Sequence, residues 1–300
     1  MSADAPEAFA DARTLLARHG LAAKKSFGQN FLVNERAFRA IVDAAVTSED
    51  DWIVEVGAGL GTLTARLAAR VPDGKIIALE RDPDMVTVLR AELGAIDNIH
   101  IEPADVLRYD LTMAARWAAG PITVAGNLPY HIASQILFRL VDARAHLRRA
   151  VVMIQKEMAD RILAAPGGKD YGALGVLITT YFDARLVTKV GPGSFVPPPK
   201  IDSSVIRLTP LPGAAPRVPL ADPAHYADVV HAAFGQRRKT LRNALRARYP
   251  EAAVDAALTT TGVDGVRRGE TLTIAELAAV AALLPKAAGP PHDPTGRGDG

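Results

Sequence analysis

Four residues of unlike type, Gly57, Glu80, Asp105 and Asn127, each follow closely on a short apolar run, at 52–56, 75–79, 99–101 and 122–125. Glycines at 57, 59 and 61 allow a sharp turn into a following helix and let backbone N–H groups approach a ligand. A plain structural turn explains such a loop as well. A dinucleotide-binding fingerprint needs a further small residue at position 62, where this chain has Thr62. Glu80 is placed to accept hydrogen bonds from both hydroxyls of a ribose, and Asp105 from an adenine amino group. Taken singly, each also reads as a cap or turn carboxylate. Taken in order, loop and carboxylates describe a nucleoside held without a phosphate-binding loop, and S-adenosylmethionine is the common ligand of that kind.

The segment Asn127-Leu128-Pro129-Tyr130 adds a reaction to that ligand. Proline restricts the backbone, so the Asn127 side chain and the Leu128 carbonyl can offer oxygen acceptors at one spot. The exocyclic amine of adenine is a poor nucleophile because its lone pair is delocalised into the ring. Acceptors that hold its hydrogens out of the ring plane restore density on nitrogen, which can then attack a sulfonium methyl in line. Positioning does most of this work. Tyr130 offers a ring on which the base can stack. An ordinary turn remains the competing reading of these residues.

Such residues need a sheet to hold them at one rim. The apolar runs at 52–56, 75–79, 99–101, 122–125, 151–154 and 205–208 read as strands, and helical patterns follow the first, second and fourth of them. That alternation predicts an α/β fold: a Rossmann-like parallel sheet with helices on both faces, whose ligands bind at the carboxyl ends of the strands. Residues 1–24 read as a partly flexible leader and 25–209 as the main domain. Residues 210–219 form a Pro-rich linker, 220–285 a small all-helical domain and 286–300 a disordered Gly/Pro-rich tail.

Composition is that of a soluble globular chain: 300 residues, 49% hydrophobic, 23% charged, net charge +2. The absence of cysteine excludes a disulfide scaffold, a thiolate zinc site and a cysteine nucleophile, and no metal site is expected. Acidic residues and alanines occupy the N-terminal stretch where a signal peptide needs a basic region and an apolar core, and no apolar run matches a membrane span. A cytoplasmic protein without membrane attachment is expected.

Charge is concentrated at 234–250, which holds Arg237, Arg238, Lys239, Arg242, Arg246 and Arg248 and no acid. Arg238, Arg242 and Arg246 fall at i, i+4 and i+8, which predicts a helix that packs by Leu241 and Leu245 and shows arginines to phosphate. A solvated basic face is the alternative. Lys24, Lys25, Arg185, Lys189 and Lys200 extend the basic track.

The chain closely resembles the ribosomal RNA adenine dimethyltransferase family, in its bacterial form. The matching stretches are KSFGQNFL at 25–32, EVGAGLGTLT at 55–64, GNLPY at 126–130, FVPPPKIDS at 195–203 and FGQRRKTLRN at 234–243. The resemblance implies S-adenosylmethionine-dependent N6,N6-dimethylation of two adjacent adenosines in the hairpin loop near the 3′ end of 16S ribosomal RNA, within the small ribosomal subunit, by a chain for which nothing demands more than a monomer. It implies that Asn30 and Leu32 close over the cofactor. Gly57, Glu80, Asp105 and Asn127 would bind it, with Asn127 also touching the target amine. Tyr130 and Phe195 would sandwich a flipped base. Phe195 equally reads as a plain hydrophobic anchor, and Gln29 as structural. A DNA adenine methyltransferase would use similar chemistry, but the Arg-rich C-terminal helices favour RNA. A non-catalytic assembly factor is disfavoured by the intact cofactor residues.

Overall fold

In the computed structural model the described residues are 9–24, 28–236 and 238–287. Their strands are β1 (Phe31–Leu32), β2 (Trp52–Val56), β3 (Lys75–Glu80), β4 (Ile99–Pro103), β5 (Ile122–Asn127), β6 (Leu147–Gln155), β7 (Phe182–Val190), β8 (Phe195–Val196) and β9 (Ser203–Pro210). Seven of them form one sheet in the order β4-β3-β2-β5-β6-β9-β7, and β1 pairs with β8 in a separate two-stranded ribbon. The sheet is parallel from β4 through β6, with Ile53 opposite Ile76 on one side of β2 and Thr123 on the other. Residues 53–56 and 76–79 are buried without alternation. That pattern fits strands covered on both faces, and helices pack on both sides.

The expectation of a parallel sheet is corrected at one edge, because β9 runs antiparallel to β6. An apolar run looks the same in either direction, so strand polarity is set by the path of the connecting chain.

The chain divides into two compact units, residues 1–156 with 185–210 and residues 157–184 with 211–300. The first holds the parallel strands and their helices. Its helix Ala12–Arg18 starts at the N-cap Asp11, buries Leu15 and Leu16, and is tied by Arg18 and His19 to Glu92, each at 2.7 Å. The described part of the segment read as a partly flexible leader is therefore packed structure.

The second unit is mostly helical. The reading that ended the main domain at 209 placed 157–184 within it, whereas these residues pack with the C-terminal helices. The Tyr226 hydroxyl lies 3.1 Å from that of Thr180, and the rings of Tyr171 and Phe234 meet edge-on with centroids 5.8 Å apart. Contacts across some 45 to 65 residues leave no local pattern to read. The Pro-rich segment is held rather than loose: Leu211 and Arg217 donate backbone bonds to Tyr181 and Thr180. From residue 288 onward the expected disordered tail lies outside the described residues.

Candidate active site

The chain runs outward from β2 through β3 to β4, then returns to place β5 on the other side of β2. Ligands of doubly wound sheets bind where the strand order reverses in this way, beyond the carboxyl ends of the strands. Gly57 leaves β2 at that point and Asn127 ends β5 beside it. A β carbon on Gly57 would lie 3.7 Å from the Asn127 carbonyl. Gly126 admits no side chain, because its β carbon would sit 2.4 Å from the Val56 carbonyl oxygen.

One cavity opens over this point. Asn30, Leu32, Gly57, Glu80, Asp105 and Asn127 all line it, and so do Leu128, Pro129 and Tyr130. Residues spread over a hundred positions of sequence thus meet at one rim. The glycine loop is pinned to the next strand, since Gly57 and Ala58 both donate to the Leu79 carbonyl. Gly57 has φ +72°, a conformation that side chains disfavour.

Asn127 carries the chemical detail. Its Nδ2 donates to the Asn30 carbonyl at 3.1 Å, while its buried Oδ1 has no hydrogen-bond partner. The reversed amide would set Oδ1 against another acceptor, so the Asn30 carbonyl fixes which atom is free. A buried acceptor without a donor is costly unless a ligand completes it. Leu128 N–H donates to Met153 at 3.0 Å and holds the turn onto β6. The Tyr130 ring is half-buried, and its hydroxyl lies 2.7 Å from Ser203 Oγ on β9. Burial raises the Tyr130 pKa, partly offset by the Ser203 bond.

Glu80 differs from expectation. Its Oε1 already accepts from Arg81 and Asp82 N–H at 2.7 and 2.8 Å, and its Oε2 from Gly59 N–H at 2.8 Å. One acceptor position on Oε2 remains for a ligand hydroxyl, so the carboxylate braces the loop as well as facing the cavity. Asp105 Oδ1 accepts from Leu107 N–H at 2.9 Å, and Arg81 lies 3.7 Å from Oδ2.

Phe195 is a second departure. It is 2% exposed, lies in the hydrophobic core against β1, and does not line the cavity. The anchor reading holds for it in this structure, and of the two rings expected to hold the base only Tyr130 stands at the cavity. Strand pairing with Leu32 turns Phe195 inward, a long-range effect that the motif does not encode.

Sequence reasoning missed three elements of the site. Ser203 orients Tyr130; it stood inside a quoted motif but received no role. Replacing Ser203 by alanine should release the ring and lower turnover several-fold, with cofactor affinity unchanged by calorimetry. A second element is Asp82, which Lys24 and Gln29 both bond, at 2.7 and 2.8 Å; Gln29 is thereby structural, as read, while Lys24, read as part of the basic track, is paired with an acid. Burial raises the Asp82 carboxyl, but the bonds from Lys24, Asp84 and Gln29 outweigh it and hold its pKa below the usual value.

The third is Glu55, which lines the cavity floor at 2% exposure with Oε2 unpartnered. Burial pushes its pKa up to about 8; the Thr64 hydroxyl opposes this and Glu80 adds to it. It is therefore a neutral acid at pH 7. The unfolded carboxyl ionises near 4.5, so the stability that Glu55 contributes is complete below that pH and is lost as pH rises through about 8. A Glu55→Gln chain should gain on the native chain in melting temperature between those values and keep a constant lead above them.

The basic residues of the second unit are also rearranged. The helix there spans only Leu241–Arg246, capped by Thr240, so Arg238 and Lys239 lie in the preceding turn and not on its face. Leu241 and Leu245 are buried as expected. Arg246 pairs with Asp255 at 2.6 Å and with Glu251 at 2.9 Å, and Arg242 lies 3.4 Å from Asp255. Acids of the next helix thus absorb charge that seemed free in sequence. Arg238 and Lys239 are exposed. Arg237 lies outside the described residues. Among the described residues no helix is long and apolar enough to cross a membrane.

A family model described as ribosomal RNA adenine dimethylase matches residues 20–286. The chain is 48% identical over 282 residues to ribosomal RNA small subunit methyltransferase A of Anaeromyxobacter sp. (strain K), covering 91% of this chain and 97% of that protein. It is 45% identical over 275 residues to the protein of the same name from Myxococcus xanthus (strain DK1622), covering 91% and 94%. Among solved structures, the 23S rRNA methyltransferase ErmE superposes with a TM-score of 0.64 at 28% identity, over 85% of this chain and 99% of that one. A dimethyladenosine transferase from Plasmodium falciparum superposes with a TM-score of 0.70 at 23% identity, over 84% and 98%, a likeness of fold.

Proposed function

Because the chain belongs to the ribosomal RNA adenine dimethylase family, we propose that it dimethylates N6 of two adjacent adenosines in the 3′-terminal hairpin loop of 16S ribosomal RNA. It would act as a monomer in the cytoplasm on the small ribosomal subunit, with S-adenosylmethionine as donor. The observation that carries this reading is the orphaned Asn127 Oδ1 at the switch-point cavity, next in the chain to the Leu128 carbonyl.

The residues present fit that cofactor. Gly57 lets backbone approach it, Glu80 Oε2 keeps an acceptor position for a ribose hydroxyl, Asp105 Oδ2 can accept from an adenine amine, and Asn30 and Leu32 lie on the same wall. When bound, the cofactor supplies an electrophilic methyl group. Asn127 Oδ1 and the Leu128 carbonyl accept the hydrogens of the target N6 and hold the amine out of conjugation with its ring. The proton on N6 becomes acidic as the new N–C bond forms, so no strong general base is required. After the first transfer one N–H remains, and a single acceptor suffices to orient it. Tyr130, fixed by Ser203, supports the base by stacking.

Arg238 and Lys239 are the exposed cations of the second unit's basic turn and are assigned to phosphate. The deciding experiment incubates unmethylated small subunits with methyl-labelled cofactor and maps the labelled bases. Two adjacent dimethyladenosines near the 3′ end are expected. Label on other bases of the subunit, or no label, overturns the assignment.

A further inference from the structure

We propose that a groove on the first unit, with Arg36 and Lys189 on its walls, binds the phosphodiester backbone of the RNA strand whose adenine enters the cavity. This rests on the RNA reading above and adds a surface to it. The groove is lined by Asn34, Arg36, Thr188, Lys189 and Ser194, together with apolar and glycine positions, and no carboxylate lines it.

Its position follows from two shared elements. The helix Glu35–Ala45 contributes Phe38 and Ile41 to the cavity but Arg36 and Ala37 to the groove. The ribbon strand β1 lines the cavity with Phe31 and Leu32, and just beyond it Val33 N–H donates to the Ser194 carbonyl at 2.8 Å. Asn34 and Ser194 then belong to the groove. A strand that delivers a base to the cavity therefore meets the groove across a single ribbon.

The chemistry suits phosphate. Arg36 and Lys189 are exposed and pair with no acid among the described residues. The neighbouring Glu35 is taken by Arg66. Neutral donors accompany the cations: Asn34 Oδ1 caps the helix by accepting from Ala37 N–H, which leaves its amide N–H groups for a ligand, and Ser194 brings a hydroxyl. Cations with neutral donors and no acid are the usual composition of a backbone contact, which positions the nucleic acid without reading sequence. Leu186, 45% exposed in the same groove, offers apolar surface to a ribose or base. The contrast with Arg242 and Arg246, whose charge is matched by Asp255 and Glu251, makes these cations the better phosphate ligands.

The test measures binding of the full-length chain to unmethylated small subunits over a range of salt concentration. For single strands, log K falls with log salt by about 0.7 per phosphate contacted. Reversing both charges in the Arg36→Glu, Lys189→Glu chain should make that slope shallower by about 1.4 and reduce affinity at least tenfold at low salt. Cofactor affinity should stay native, because neither residue lines the cavity. Arg36→Lys with Lys189→Arg should restore native binding. If the reversed chain fails to bind cofactor, Arg36→Gln with Lys189→Gln decides by the same slope. An unchanged slope in a chain that binds cofactor normally overturns the groove alone. Absence of salt-dependent RNA binding by the native chain overturns the RNA reading and the groove with it.

Discussion

An Asn127→Ala chain is expected to bind the small subunit as the native chain does, yet to transfer methyl groups at least about a hundredfold more slowly. The substitution removes a buried oxygen at the cavity rim that has no internal donor. It also removes the bond from Nδ2 to the Asn30 carbonyl, which ties β5 to the segment before β1. The hydrogens of the target amine are then held from one side only, and the lone pair returns to the ring. Single-turnover rates at saturating cofactor separate this loss from any change in affinity. Asn127→Asp keeps an oxygen but faces it with the Asn30 carbonyl, two acceptors without a proton between them, so it should recover only part of the rate. A rate within threefold of native for Asn127→Ala would refute the pinning of the amine.

Glu80→Ala should raise the dissociation constant for the cofactor at least about a hundredfold. Three backbone N–H groups, of Gly59, Arg81 and Asp82, lose their acceptor together. Hydrogen bonds to a charged group are worth about 1.5–3 kcal/mol each, and donors left unpaired beside a cavity carry a further cost. The loop between β2 and its helix is then free to leave the position in which Gly57 approaches the ligand. Glu80→Gln retains one oxygen and should fall between the two. Calorimetric titration measures the affinity directly. Equal affinity in all three chains would remove Glu80 from the site.

Much of the site was legible because its signals are local. Glycine at 57, 59 and 61 records a backbone conformation, and the apolar runs 76–79 and 53–56, the latter interrupted only by Glu55, record strands buried on both faces. The alternation of strands and helices places Gly57, Glu80, Asp105 and Asn127 at one rim, where the cavity is found. The proline after Leu128 restricts the turn that presents Asn127.

Other features depend on which residue meets which across long stretches of chain. Phe195 and Tyr130 are both aromatic residues in motifs, yet one is buried by strand pairing and the other stands at the cavity under the hold of Ser203. Arg242 and Arg246 read as free cations until Asp255 and Glu251 are packed beside them, whereas Arg36, unremarked in sequence, and Lys189, read only as one of a scattered basic track, are set together by the fold on one groove without an acid. Glu55 is an ordinary carboxylate in sequence and a neutral acid once desolvated under the loop. The amino-acid sequence alone determined the central parallel strands, their order along the chain and the rim at which they end, since propensity, periodicity and glycine conformations act over a few residues. The tertiary structure alone decided exposure, charge pairing and protonation, because these are properties of a side chain's surroundings, and the surroundings come from elsewhere in the chain.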